Sequence, residues 1–108
     1  MTANSKMLKN FFSILFPIYL FKISGHSMEP TIKNGDKVLV NRLAYLFKSP
    51  KAGDIVAAKK GDKIFIKRIT KIENKKYFVH GDNPNDSVDS RKFGMLSKHD
   101  ILGKVFAI

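Results

Sequence analysis

The 108-residue chain contains no cysteine and no tryptophan. Without cysteine there is no disulfide, no thiolate metal site and no cysteine nucleophile. Acid is scarce as well, with nine Asp and Glu against twenty Lys and Arg and a formal net charge of +11. Such an excess draws a chain toward nucleic acid or anionic lipid surfaces, whatever its specific task. The basic residues are spread along the chain rather than gathered in a tail. The aromatic residues are mostly Phe, and several stand in apolar alternations, where core packing is a better fit than base stacking. The length supports one domain with one core.

Long hydrophobic runs are also missing. The longest is "FFSILFPIYLF", residues 11–21, with Lys6 and Lys9 before it and Lys22 after. As a helix it would reach roughly 16 Å, about half of a ~30 Å hydrocarbon core, and Pro17 interrupts it. Three readings fit. It is the apolar region of a signal peptide, although no small-x-small cleavage site follows. It is a short or interfacial anchor, its lysines marking the cytoplasmic side. Or Tyr19 to Ile23 form a buried first strand and the rest packs on the core.

The remainder is punctuated by four Gly-Asp pairs: Gly35-Asp36, Gly53-Asp54, Gly61-Asp62 and Gly81-Asp82. Glycine accepts positive φ and aspartate bonds its own backbone, so each pair signals a turn. Strand-like runs "KVLV", "IVAA" and "KIFIKRI" follow three of them, and "YFVH" resumes the pattern after the polar "ENKK". One helical turn is expected near Ser97 to Leu102, where Ser97 and Asp100 have the spacing of a short capping box. No repeat or low-complexity segment appears. The pattern predicts a single compact, mostly β domain.

Chemistry has three places to reside. "SGHSMEP", residues 24–30, presents Ser27 in a Gly/Pro setting at the edge of the β region. A serine nucleophile needs a base within reach. His26 adjoins Ser27, but neighbours on an extended chain point to opposite faces; His80 and His99 stay open, each equally readable as a surface histidine. Lysine is the other base, provided it is neutral, and dehydration favours the neutral amine. In "KIFIKRI", Phe65, Lys67 and Ile69 share one strand face, so Lys67 sits between two large apolar neighbours. An edge-strand lysine reaching out to water fits the same pattern. The third place is "GDNPNDSVDSR", residues 81–91, dense in Asp, Asn and Ser. It lacks the glycine and terminal glutamate of an EF-hand, so it is not read as a calcium loop. A turn held by side chain–backbone bonds and an Asp89–Arg91 pair accounts for it equally well.

In order along the chain, these stretches resemble the type I signal peptidase family of Ser/Lys proteases. "SGHSMEPT" is similar to its nucleophile box, "GDIVAA" to the strand box after it and "IKRIT" to the box with the lysine base. "GDNPNDSVDSR" followed by "FG" resembles the last box, and "ILGKV" the closing strand. The likeness covers roughly residues 19–108. Within the family, a chain this small most resembles the branch of nickel-type superoxide dismutase maturation proteases. The resemblance implies a signal-peptidase/LexA-like β domain over residues 19–108, preceded by a basic, apolar segment over residues 1–18. It implies Ser27 as nucleophile, Lys67 as general base and Ser87 as the hydroxyl that orients the Lys67 amine. Asp89 and Arg91 would form a structural pair, and Met28 would pack beside the nucleophile. The Ser27 N–H would supply one oxyanion donor; Gly25 stands where some members carry a second, a serine hydroxyl. No cofactor or metal is implied. The implied partner is a precursor protein cut after small residues in its N-terminal leader and bound as an added strand. Membrane association is implied too, with the catalytic domain outside the cytoplasm if the chain is anchored, and cytoplasmic otherwise. Specific nucleic-acid binding is not. A self-cleaving repressor would need a helix-turn-helix ahead of Ser27, and residues 1–26 are mostly apolar. The competing class is a non-catalytic basic β module, a degenerate peptidase, that binds anionic lipid or nucleic acid.

Overall fold

The alternating apolar runs become six strands among the described residues, which in this computed structural model are 18–85 and 94–107. They are β1 (Ile18–Lys22), β2 (Lys37–Asn41), β3 (Ile55–Lys60), β4 (Lys63–Glu73), β5 (Lys76–His80) and β6 (Ile101–Ala107). A single 3₁₀ turn, Lys98–Asp100, precedes β6. Its Asp100 carboxylate accepts the Ser97 N–H at 2.9 Å, as the capping spacing predicts. Residues 1–17 and 86–93 lie outside the description, and with them most of the 11–21 run.

The strands form one antiparallel sheet in the order β1-β2-β6-β3-β4-β5. Local turns make the hairpins. β3 and β4 meet at Lys60 opposite Lys63, across Gly61 with φ +62°. β4 and β5 meet across Asn74 and Lys75, both at positive φ, the geometry that matches strand twist in a two-residue turn. Of the four Gly-Asp pairs, Gly35, Gly53 and Gly61 adopt positive φ, and Gly81 does not. "ILGKV" closes the chain but not the sheet, because β6 is inserted at its centre between β2 and β3.

Side chains alternate between the two faces of this sheet. One face buries Phe21, Val38, Val40, Ala57 and Val105, together with Met28 and Ile32 from the β1–β2 connection. The other buries Val56, Ala58, Ile69, Tyr77 and Val79 beneath Tyr45 and Leu96. Tyr45 is pinned there by donating its hydroxyl proton to Asp54 at 2.7 Å. Burial, and then this bond, push its phenol well above the ordinary tyrosine range. Leu96 exchanges two backbone hydrogen bonds with Tyr77, both 2.8 Å. The first strand starts at Ile18, one residue earlier than Tyr19, and it lies at a sheet edge. Only its Phe21 is buried, so the expectation of a buried first strand holds for one side chain.

Gly103 marks the tightest place in the sheet. A Cβ there would lie 2.6 Å from the Asn41 carbonyl oxygen and 2.9 Å from its carbon. Both are backbone atoms of the paired strand and cannot rotate away. Gly103→Ala should therefore force β2 and β6 apart and cost about 1–3 kcal/mol, as overpacking does. Chemical denaturation of the variant and parent chains measures this; an unchanged midpoint would show that the sheet relaxes freely at this position.

Candidate active site

The turn after β1 carries Ser27, and its shape is set by residues on either side. Gly25 takes φ +103°, where a side chain would be strained. Its N–H donates to Asn34 Oδ1 at 2.8 Å. The Asn34 N–H in turn donates to Glu29 Oε2 at 3.2 Å, and the same oxygen lies 2.8 Å from His26 Nδ1. The contact with His26, and then the Asn34 N–H, hold the Glu29 carboxyl below its usual range. Met28 and Ile32 drop into the core, joined by the Ile32 N–H to Met28 carbonyl bond of 3.0 Å. Met28, next to Ser27 in the chain, is thus anchored in the core. Ser27 itself stays half-buried.

Lys67 is the one charged side chain buried among the described residues, with 3% of its surface exposed. β4 has β3 on one side and β5 on the other, so Lys67 is not on an edge strand reaching to water. Its register partner is Val56 on β3. Directly opposed residues share a face, and so do alternate residues along a strand. Lys67 therefore shares its face with Val56, with Ile69 and with Val79, which opposes Ile69. All three are fully buried. Lys67 is thus buried on a face of the sheet that carries three fully buried aliphatic side chains.

Between these two segments stands an ionic lock that the sequence reading did not assign. Arg68, next to Lys67, donates from Nε to Asp82 Oδ1 at 2.9 Å and from Nη2 to Asp82 Oδ2 at 2.8 Å. Its Nη1 donates to the Gly53 carbonyl at 2.8 Å. Asp82 also accepts the Thr31 hydroxyl at 2.5 Å. Asn83 completes the frame: its N–H donates to the Ser27 carbonyl at 2.9 Å and its Nδ2 to the His26 carbonyl at 3.1 Å. The Arg68 bonds chiefly, helped by Thr31, hold the Asp82 carboxyl below the ordinary range, and Asp82 raises Arg68 in return. The Ser27 turn, the Lys67 strand and the start of "GDNPNDSVDSR" are thus tied together by side chains adjacent to the expected site residues. The signal was present in the wording of the motifs, since Arg68 lies in "IKRIT", Thr31 in "SGHSMEPT" and Asp82-Asn83 in "GDN".

Ser87, Asp89 and Arg91 lie outside the described residues. The histidines have other engagements or positions: His26 contacts Glu29, His80 Nδ1 contacts Thr70 Oγ1 at 2.9 Å, and His99 is exposed on the 3₁₀ turn. Among the described residues no group of three His, Asp or Glu is arranged to hold a metal ion.

Comparison with known proteins adds relatives to this geometry. The chain is 33% identical over 105 residues to mitochondrial inner membrane protease subunit 1 of Xenopus tropicalis, an overlap of 76% of this chain and 63% of that protein. It is 26% identical over 129 residues to the probable signal peptidase I-2 of Synechocystis, covering 78% of this chain and 59% of the relative. Against the inactive signal peptidase IA of Staphylococcus aureus strain COL it is 25% identical over 156 aligned positions, 93% of this chain and 90% of that one. Those aligned positions outnumber the residues of this chain, so that relative carries insertions between the shared elements. The chain spans less than two thirds of the Xenopus and Synechocystis proteins. The family model for Peptidase S24-like proteins matches residues 3–106, a span that takes in every strand, the Ser27 turn and the Arg68–Asp82 lock. On that match the chain belongs to the Peptidase S24-like family, and its relatives place it in the signal peptidase I group.

Proposed function

We propose that this chain is a serine endopeptidase that removes N-terminal leader segments from precursor proteins, with Ser27 as nucleophile and Lys67 as general base. The observation that carries the reading is the burial of Lys67 at 3% exposure in the interior of the sheet. Burial costs a lysine in its charged form unless it is paired, and it favours the neutral amine that a general base must present. Here it neighbours Arg68, whose partner Asp82 and the adjacent Asn83 hold the backbone of the Ser27 turn.

In this reading the Lys67 amine takes the proton from Ser27 Oγ as the oxygen attacks the scissile carbonyl. The same proton then passes to the departing amine, leaving an acyl-serine. Water, deprotonated by the same lysine, releases the leader and frees the serine. By the family resemblance, Ser87 would orient the amine, and Asp89 and Arg91 would form the structural pair that shapes the site. The Ser27 N–H contributes to the oxyanion hole. Gly25 offers no hydroxyl, and its own N–H is already given to Asn34, so a second donor must come from elsewhere. The resemblance to a branch with a dedicated client places leader removal from one precursor alongside general leader processing, with the same chemistry in both.

A second reading is favoured by one specific finding, the relative named an inactive signal peptidase. In it the fold persists as a basic, non-catalytic module, and Gly25 marks a lost oxyanion donor. A serine-directed acylating probe separates the two, because only an activated Ser27 reacts.

Two predictions follow from the site. Ser27→Ala and Lys67→Met should each lower cleavage of a leader-bearing precursor by at least ~10³-fold, in line with loss of a triad-type member. Both should keep the fold by circular dichroism, and parental kcat/KM should rise with pH as the amine deprotonates. Activity in either variant close to that of the parent would sink the assignment.

The Asp82 carboxyl is depressed in the fold, so its contribution to stability is complete above the unfolded carboxylate value of about 3.9 and fades as pH falls through the lower folded value. Asp82→Asn should cost about 1–3 kcal/mol at neutral pH. It should also flatten the acid limb of a melting-temperature profile, and a limb as steep as that of the parent would assign the acid sensitivity to other carboxylates.

A further inference from the structure

The Ser27 turn is held at three places, each by a different means. Downstream of the serine, Met28 and Ile32 are buried in the core. At the middle, Asn83 takes the carbonyls of His26 and Ser27. Upstream the chain runs through Gly25, and there packing gives no help. Among the described residues a Cβ on Gly25 would meet no atom within 4 Å. Glycine is also the residue least committed to one backbone shape, so sterics do not fix its φ of +103°. What holds Gly25 is the 2.8 Å bond from its N–H to Asn34 Oδ1, nine positions along the chain.

Asn34 is free for this because its own turn is closed without its side chain. Asn and Asp in turns ordinarily bond backbone close by. In the turn that leads into β2 the local bond comes from Asp36, whose Oδ2 accepts the Lys33 N–H at 2.8 Å. The Asp36 N–H donates to the Lys33 carbonyl at 2.9 Å, and Gly35 takes φ +90°. Two further bonds fix this turn to the end of β1. The Gly35 N–H donates to the Ile23 carbonyl at 2.8 Å, and the Ile23 N–H to the Asp36 carbonyl at 2.7 Å. Asn34 therefore stands on a clamped base and reaches across the β1–β2 connection to Gly25.

The same residue holds the other side of the serine. The Asn34 N–H donates to Glu29 Oε2 at 3.2 Å. Gly25 lies two residues before Ser27 and Glu29 two residues after it, so one residue grips both ends of a segment with the serine at its centre. His26 closes the circuit, with Nδ1 2.8 Å from the same Glu29 oxygen. We infer that Asn34 is a positioning residue for Ser27, setting the span of residues 25–29 and with it the place of the serine hydroxyl. The inference rests on the reading of Ser27 as nucleophile. Asn34 acts through Gly25 and Glu29, not on the reacting atoms. These bonds lie in exposed surroundings, where a hydrogen bond adds little to stability. A displacement of about 1 Å at a reacting group, by contrast, lowers a rate on the order of 10²-fold.

The test compares Asn34→Ala, which removes the acceptor, with Asn34→Asp, which keeps an oxygen there. In Asn34→Ala, kcat for a leader-bearing precursor should fall roughly 10- to 100-fold, with KM within about twofold of the parent. Labelling of Ser27 by a serine-directed acylating probe should slow in parallel, while the melting temperature moves by only a few degrees. Asn34→Asp should recover most of the loss. Should Asn34→Ala fail to fold, Asn34→Gln displaces the same oxygen by one carbon and should show the same slow turnover. Parental kcat in a folded Asn34→Ala would overturn the inference. So would Asn34→Asp no faster than Asn34→Ala, which would reduce Asn34 to a structural part of the turn. Amide exchange separates this failure from failure of the peptidase reading. The Gly25 N–H should exchange about fivefold faster or more in Asn34→Ala than in the parent. If the parent neither cleaves a leader nor takes the probe, the nucleophile assignment fails and the exchange result decides alone. Faster exchange then leaves Asn34 as the residue that shapes the turn, and unchanged exchange overturns even that.

Discussion

The two-pronged bond between Arg68 and Asp82 is the constraint on which the site depends. It joins the middle of β4 to a residue just beyond β5, where the β4–β5 hairpin already sets Arg68 opposite His80, and it carries that hairpin's constraint over to the Ser27 turn. Everything around Ser27 is then referred to it. Thr31 reaches Asp82 from one end of the turn, and Asn83 holds the carbonyls of His26 and Ser27 from the other. A planar guanidinium is suited to this work, since it fills both carboxylate oxygens and still has a donor left for the Gly53 carbonyl. Lysine in the same place would make a point contact and leave the turn free to rotate about it.

The lock also accounts for how a basic chain tolerates a buried amine. Most of its lysines are exposed and solvated, and the fold asks little of them. Lys67 is different because β4 is an interior strand, so its side chain cannot escape past an edge. Arg68 points to the other face, where Asp82 balances its charge. Adjacent residues on one strand thus lie on opposite faces: Arg68 pairs with a carboxylate, and Lys67 is buried on the face that carries Val56, Ile69 and Val79.

Much of this was legible before the structure. Strand positions follow from alternating apolar residues and from turn chemistry, and "KVLV", "IVAA", "KIFIKRI" and "YFVH" all became strands. The burial of Lys67 accords with its place between Phe65 and Ile69, because a period of two needs only local sequence, although that pattern fits an edge lysine as well. The central place of β6 could not, since strand order is decided by pairings distant in the chain. Gly103 held a clue, as a glycine inside a strand marks close backbone approach. The Arg68–Asp82 lock was hidden for a related reason. Its members lie inside motifs where a serine and a lysine drew the chemistry, and Asp82 was read as half of a Gly-Asp turn. Gly25 was read for the hydroxyl it lacks. The structure gives it a positive role, for its φ of +103° bends the chain into the Ser27 turn and aims its N–H at Asn34.

The two faces of the sheet explain why so short a chain can hold both a site and an unused apolar surface. One face is closed by Met28 and Ile32, which the Ser27 turn itself supplies, so the core and the turn stabilise each other. The other face is closed by Tyr45 and Leu96 over β3, β4 and β5. Over β1, β2 and β6, Leu20 and Phe106 stay exposed, as do Leu43, Leu46 and Phe47 on either side of the buried Tyr45. An exposed apolar surface of this kind is a liability in water, since such patches promote association. Its border here carries lysine and arginine and no acid, so like-charge repulsion between copies opposes that association.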